Sequence, residues 1–326
     1  MKIDSLLKLF KGIRILVIGD IILDRYIWGR VNRISPEAPV PIVEVTNDSF
    51  LLGGAANVAN NIVALGGIAS VTGVIGRDRA GEVVRELLSD KGIEIALFED
   101  SRPTTIKTRV IAHNQQVVRF DKEDRTTLSD KTLKGIIDYL KASLKKFDAV
   151  IISDYKKGVV SRRLIRELLK ITKPSRKFVA LDPKVGHFHL YKGVSIITPN
   201  LSEASHGSGI DITDEDSLLK AGKLLLKKLA CKAVLITRGE EGMSLFTNDN
   251  VIHIPTVARH VYDVTGAGDT VIATFTLAHA AGATMEESAM IANHAAGIVV
   301  GEVGTASATP DKLRQSLRLA GIIRRR

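Results

Sequence analysis

With 326 residues, 45% hydrophobic and 25% charged, the chain has the composition of an ordinary globular protein and the length for one large α/β domain or two modest ones. A single cysteine, Cys231, excludes an internal disulfide framework and fits a reducing compartment. The formal net charge of +10 invites a nucleic-acid reading, but the basic residues fall at helical spacing in stretches such as "SRRLIRELLKITK", and the aromatics, only 5%, are not interleaved with them; solvated helix faces account for the charge, and bases have no stacking platform.

The first residues, "MKIDSLLKLFKGIRILVIGD", carry charges through what would be the apolar core of a signal peptide. No run approaches the roughly 20 apolar residues that span a bilayer, so the expected location is cytoplasmic, with neither membrane nor nucleic acid as partner. "IRILVIGD" (Ile13–Asp20) reads as a buried strand, with Asp24 soon after it. "RYIWGRVNRISPEAPVPIVEV" (Arg25–Val45) holds three prolines and is expected as an edge strand or extended arm. "LGGAANVANN" (Leu52–Asn61) sets Gly53 and Gly54 before a helix expected over Ala55–Leu65, with Asn57 in its first turn. A second helix is expected over Gly81–Lys91. "TIKTRVIAHNQQVVRFD" (Thr105–Asp121) reads as a hairpin turning at "HNQQ". Neither the arm nor the hairpin has room for a crossover helix. They are expected to pair as a small β lid, residues 25–48 and 103–121, inside one domain covering residues 1–326.

Beyond residue 147 the rhythm is regular. "DAVIISD" (Asp148–Asp154), "KFVALDP" (Lys177–Pro183), "VSIITPN" (Val194–Asn200) and "KAVLITRG" (Lys232–Gly239) read as buried strands, with helices expected over Ser161–Lys170 and Ser217–Ala230. This alternation implies an α/β fold, a mostly parallel central sheet flanked by helices, with ligands at the carboxyl ends of the strands. Asp20, Asp24, Asp154, Asp182, Asn200 and Arg238 sit at or near those ends.

The most informative stretch is "DVTGAGDT" (Asp263–Thr270), which precedes the small-residue helical run "TVIATFTLAHAAGA". Gly266, Ala267 and Gly268 thus occupy a helix N-terminus, where unpaired N–H groups and the positive dipole end favour an anion. Asp269 faces the same spot and can take a proton from a hydroxyl attacking a γ-phosphate. "PNLSE" (Pro199–Glu203) puts Asn200 and Glu203 at a strand end, fit to orient water and Mg²⁺ near a triphosphate. "TRGEEG" (Thr237–Gly242) supplies another strand-end turn whose backbone can approach phosphates. There is no Walker A motif and no G-x-G-x-x-G after the first strand, and the scattered histidines, "HFH" (His187–His189) included, lack partners for a zinc site.

Taken in this order, the motifs resemble the ribokinase-like (PfkB-type) carbohydrate kinases, from about Ile13 to Pro310. The resemblance implies Asp269 as catalytic base with Gly266, Ala267 and Gly268 as its anion hole. It implies Asp24, Gly53, Gly54 and Asn57 as sugar ligands. ATP contacts are implied at Asn200, Leu201, Ser202, Glu203, Thr237, Gly239 and Gly242, with Glu203 serving Mg²⁺. Within the family, "RISPEAPVP", "HNQQVVRFD", "SDYKKG" and "VYDVTGAGDTVIAT" are similar to the branch that phosphorylates the C1 hydroxyl of D-glycero-β-D-manno-heptose 7-phosphate on the way to ADP-heptose and lipopolysaccharide cores. No H-x-G-H adenylyltransferase motif occurs. A kinase for another phosphorylated sugar, such as a fructose phosphate, and a non-catalytic sugar- or nucleotide-binding regulator on the same fold stay open. The substrate phosphate calls for cations, with Arg33, Arg109, Arg119 and Lys184 the candidates. The apolar residues of the lid, with Trp28, exceed what a sugar pocket needs to be covered, and a homodimer joined lid to lid is expected.

Overall fold

The computed structural model describes residues 3–113, 115–258, 261, 263–301 and 307–323. Asn114 of the "HNQQ" turn and the terminal "RRR" lie outside them. Thirteen strands are described. In chain order they are β1 (Arg14–Gly19), β2 (Ile21–Ile34), β3 (Pro41–Gly54), β4 (Ile68–Gly76), β5 (Glu94–Asp100), β6 (Thr105–Ala112) and β7 (Gln115–Lys122). They continue with β8 (Ala149–Ser153), β9 (Phe178–Asp182), β10 (Ile196–Ile197), β11 (Ala233–Thr237), β12 (Met243–Thr247) and β13 (Val251–Ile254). Nine form one sheet in the order β13-β12-β11-β10-β9-β8-β1-β4-β5, parallel from β5 to β11, with β12 and β13 added antiparallel at one edge.

The helices are α1 (Ile3–Leu9), α2 (Ala55–Ala64), α3 (Arg79–Asp90), α4 (Asp130–Ser143), α5 (Arg162–Thr172), α6 (Leu201–Ser208), α7 (Glu215–Leu229), α8 (Ala267–Ala280), α9 (Met285–Val299) and α10 (Pro310–Leu319). Strand alternation divides them between two cores. Ile15 and Val17 of β1, with Ala149 and Ile151 of β8, join α2, α8 and α9, while Leu16, Ile18, Val150 and Ile152 face α4, α5 and α7. Several helices start where a short polar side chain accepts a free amide: Asp78 from Gly81, Ser161 from Leu164, Asp214 from Ser217. Those caps explain why α3 and α7 begin two residues before the expected starts. Strand β10 is shorter than expected, although its flanks keep part of the ladder. Ser195 and Thr198 still donate to the β9 carbonyls of Val179 and Leu181 at 2.8 and 3.1 Å.

The proline-bearing arm is not one extended segment. It is a hairpin of two 14-residue strands, β2 and β3, reversing over residues 35–40. Pro36 and Pro39 fall in the reversal and Pro41 opens the outer strand, the three places where a missing N–H does no harm. This hairpin pairs with β6 and β7 in a four-stranded sheet of order β3-β2-β6-β7. Asp24, expected beside the end of the first strand, belongs to β2 of this second sheet.

The second sheet has two unlike faces. Directly opposed partners share a face, so Asp24 with Lys107 and Tyr26 with Arg109 form a polar face. Ile27 with Val110, and Val110 with Val118, lie on the reverse with Thr108 and Phe120, and that face is mostly apolar except for the Arg25–Asp48 ion pair.

Candidate active site

The loop after β8 is held by two buried carboxylates. Asp20 follows β1 and accepts the backbone N–H groups of Tyr155, Lys157 and Val159 at 2.8, 3.0 and 3.1 Å. Asp154 accepts from the Lys156 amide, His187 Nδ1 and the Tyr191 hydroxyl, each at 2.8 Å. Burial, then the neighbouring Asp154, pushes the Asp20 carboxyl up to about 6. His187 is raised by its hydrogen bond to Asp154.

This loop delivers Tyr155 to Asp269. The Tyr155 hydroxyl donates to Asp269 Oδ1 at 2.9 Å, and Asn57 Nδ2, from the first turn of α2, donates to Oδ2 at 2.7 Å. Asp269 is only 4% exposed, and burial lifts its carboxyl to about 6 although both donors pull it down. A group poised there is an effective base near neutral pH. Helices α2 and α8 are further joined by Thr270 Oγ1 donating to Asn61 Oδ1 at 2.9 Å. Asn57, expected among the sugar ligands, thus directs its amide at the candidate base.

Helix α8 opens on Gly266, whose φ of 80° lies in the left-handed region that favours glycine. The Ala267 N–H donates to the Val264 carbonyl at 3.2 Å, so that amide is taken. A methyl group added at Gly268 would meet no atom within 4 Å, and the ground beside the helix N-terminus is open.

The polar face of the second sheet closes over this point. Arg109 Nη1 donates to Asp24 Oδ1 at 2.5 Å, with side chains 14% and 8% exposed. Arg109 lies over the Tyr26 ring at 5.2 Å and Lys107 Nζ over the Tyr155 ring at 4.9 Å. Lys107 acts on both Asp24 and Asp269, and burial pulls its ammonium below the usual lysine range. Gly53 is required here because a Cβ would stand 2.2 Å from Asp24 Oδ2. Gly54 caps α2 at a φ of 57°. Arg33 and Arg119, also weighed for a substrate phosphate, are exposed, Arg119 paired with Asp121.

At the other end, Asn200 and Glu203 cap α6 reciprocally: the Glu203 amide donates to Asn200 Oδ1 at 2.9 Å, and the Asn200 amide to Glu203 Oε2 at 3.1 Å. Lys184 sits 3.6 Å from Glu203 Oε1, so it belongs to this end and not beside Arg109. Asp182, at the end of β9, is pushed well above the usual carboxylate range by burial, then by Asp269 and Glu203, and so links the two ends. Leu201 and Ser202 form the first turn of α6, half-buried and exposed. Thr237 bridges to Asn200, and the turn that follows bends at Gly239 and Gly242, with φ of 61° and 85°. Two open surface clefts, one between α7 and the β12–β13 turn and one between β5 and α4, hold none of these residues.

Sequence reasoning missed Tyr155 and Lys107. Lys107 had a signal, since it stands two residues before Arg109 on a strand and so shares its face. Tyr155 had none beyond lying in the quoted "SDYKKG".

A family model described as pfkB family carbohydrate kinase matches residues 13–312. The chain is similar to two proteins named bifunctional protein HldE. It is 46% identical over 318 residues to that of Geobacter sulfurreducens and 47% identical over 315 residues to that of Citrifermentans bemidjiense, covering 97% and 96% of this chain. It spans 65% of the length of each. Among solved structures it is similar to phosphofructokinase-2 from Escherichia coli, with TM-score 0.81, 21% identity, and 95% of this chain and 99% of that chain covered. Arabidopsis thaliana ribokinase aligns with TM-score 0.74 and 21% identity over 94% of this chain and 98% of that one. These two likenesses establish the ribokinase-like fold.

Proposed function

The chain belongs to the pfkB family of carbohydrate kinases, and from that premise we propose that it transfers the γ-phosphoryl group of ATP to the C1 hydroxyl of D-glycero-β-D-manno-heptose 7-phosphate, giving the 1,7-bisphosphate. The observation that carries the reading is Asp269, buried, gripped by two donors and set beside the open ground at Gly268. Its carboxylate takes the proton of the C1 hydroxyl as that oxygen reaches the γ-phosphorus. The N-terminus of α8 faces the charge that gathers on the transferring group. Asp24 binds sugar hydroxyls, and Gly53 and Gly54 let the backbone approach. The cations Lys107 and Arg109 suit a sugar that already bears a phosphate. The choice of heptose rests on the resemblance carried by "RISPEAPVP" and "HNQQVVRFD".

ATP lies toward Asn200, Glu203 and the 237–242 turn. Among the described residues no cluster of three or more His, Cys, Asp or Glu is placed to hold a metal ion. Mg²⁺ needs less than that, one or two carboxylates together with nucleotide phosphates and water. Asp182, half-buried, and Glu203, buried, fit: both are raised, and Glu203 contributes to the rise at Asp182. When bound, Mg²⁺ offsets the charge of the triphosphate. A product assay with ATP and Mg²⁺ against sugar phosphates, free sugars and nucleosides tests the reading. The expected result is turnover of heptose 7-phosphate to the 1,7-bisphosphate with much lower kcat/KM elsewhere. Preference for a fructose phosphate would replace the substrate, and no turnover of any sugar would remove the activity.

The second sheet acts as a lid, and its apolar face pairs with that of a second copy. Val45, Val118 and Phe120 are 62%, 48% and 53% exposed in one chain, on the side turned away from Asp24 and Lys107. Face-to-face burial of this kind is how a four-stranded sheet becomes stable. No helix among the described residues is long and apolar enough to cross a membrane. Sedimentation at micromolar concentration is expected to give twice the mass of one chain, and Val118→Asp to give one chain with a raised KM for the sugar. A fully active monomer would overturn the pairing.

A further inference from the structure

We propose that Tyr155 is a positioning residue for phosphoryl transfer, aiming the Asp269 carboxylate at the acceptor hydroxyl from a loop that Asp20 and Asp154 hold in place. The inference rests on the reading of Asp269 as the base. Two donors grip Asp269, one on each oxygen: Asn57 from 212 positions away and Tyr155 from 114. Together they stop rotation of the carboxylate, while the second lone pair of each oxygen stays available for the incoming proton. A misplacement of about 1 Å at such a group is enough to lose two orders of magnitude in rate.

The loop is built to a purpose that packing alone does not explain. Three successive alternate amides, those of Tyr155, Lys157 and Val159, converge on the Asp20 carboxylate. Between them Lys156 adopts a φ of 57°, a strained conformation for a residue with a side chain. Its amide is in turn held by Asp154. The result of that strain is a tyrosine whose hydroxyl meets a buried carboxylate and whose ring carries Lys107 at 4.9 Å. A tyrosine serving only the core would be replaced by phenylalanine without consequence. Here the hydroxyl is the part that reaches the site.

The charged and polar groups that face Asp269 are Asn57 on α2, Tyr155 after β8, Asp24 on β2, Lys107 on β6 and Asp182 on β9. The Tyr155 hydrogen bond lowers the Asp269 carboxyl, so removing it moves that group above about 6. The base then stays protonated to higher pH.

Tyr155→Phe in the whole protein tests this. The expected result is a loss in kcat of about tenfold or more at neutral pH, an acid limb of the kcat–pH profile displaced to higher pH, and KM values for ATP and sugar phosphate within about twofold of the starting protein. Partial unfolding would remove activity with the folded fraction, which the raised Asp269 carboxyl makes fall and not rise as pH climbs through about 6, so it cannot carry the acid limb to higher pH, and the limb's position reads positioning. In an Asp269→Asn background, Tyr155→Phe should cause no further loss, because the hydroxyl acts through the carboxylate. An unmoved limb, or the same loss in both backgrounds, overturns the proposal while leaving Asp269 as the base. Full turnover by Asp269→Asn alone overturns the base and the proposal with it.

Discussion

Asp269→Asn is expected to lower kcat by about 10²–10⁴-fold while the KM for ATP stays near its starting value. The amide keeps the size of the side chain and cannot accept the proton. The grip around it survives, since the new oxygen still accepts from one donor and the Tyr155 hydroxyl can turn to accept from the new amide. Stability should not fall. The carboxyl is raised from 3.8 to about 6 in the fold, so the folded state favours the protonated form. That preference supports the fold fully below pH 3.8 and is lost as pH rises through 6. At pH 8 the starting protein therefore bears a penalty of about 3 kcal/mol that the neutral asparagine does not. A Tm at pH 8 no lower than that of the starting protein, beside a collapsed kcat, is the signature. The starting protein should also lose activity below about pH 6 with the slope of one proton, and the residual rate of the variant should lack that limb. A variant keeping more than about a third of the turnover would dismiss Asp269 as the base.

Arg109→Met is expected to raise the KM for the sugar phosphate about tenfold or more, and to raise that for the free sugar clearly less, since the free sugar loses only the steadying of Asp24. Methionine retains most of the stem that packs along Tyr26 and removes the guanidinium. The loss falls on a charge-assisted contact, about twice as strong as a neutral one. It also leaves Asp24 without its 2.5 Å partner at a place where both side chains are largely buried. Breaking such a pair costs about 3–5 kcal/mol, and the lower end applies because Lys107 stands opposite Asp24 on the adjacent strand. Steady-state kinetics with heptose 7-phosphate and free heptose separates the two roles. Equal increases in KM for both sugars would make Arg109 a support of the sheet and not a phosphate ligand.

What the sequence by itself determined was local. Strands β1, β8, β9 and β11, and helices α2, α3, α5 and α7, lie within a few residues of their expected bounds, because apolar periodicity and capping residues act over a turn or a strand. The family, too, is legible in short motifs, since Gly266, Gly268 and Asp269 have to be neighbours in sequence to share a helix N-terminus. The tertiary structure alone decided the rest. Two register shifts, an extra Thr46 in β3 beside Trp28 and Gly29 and an extra Asn32 in β2 between Val31 and Arg33, break the alternation of the two strands, which is why the arm did not read as a hairpin. Asp24 entered the second sheet because β2 begins at once after Asp20 and turns away from the main sheet. Asn57, Tyr155, Lys107 and Asp269 meet across separations of up to 212 residues. Nothing periodic or local records such a meeting. Sheet order and the crossing of α2 and α8 set it, and those follow from burying two apolar cores at once and not from any one segment.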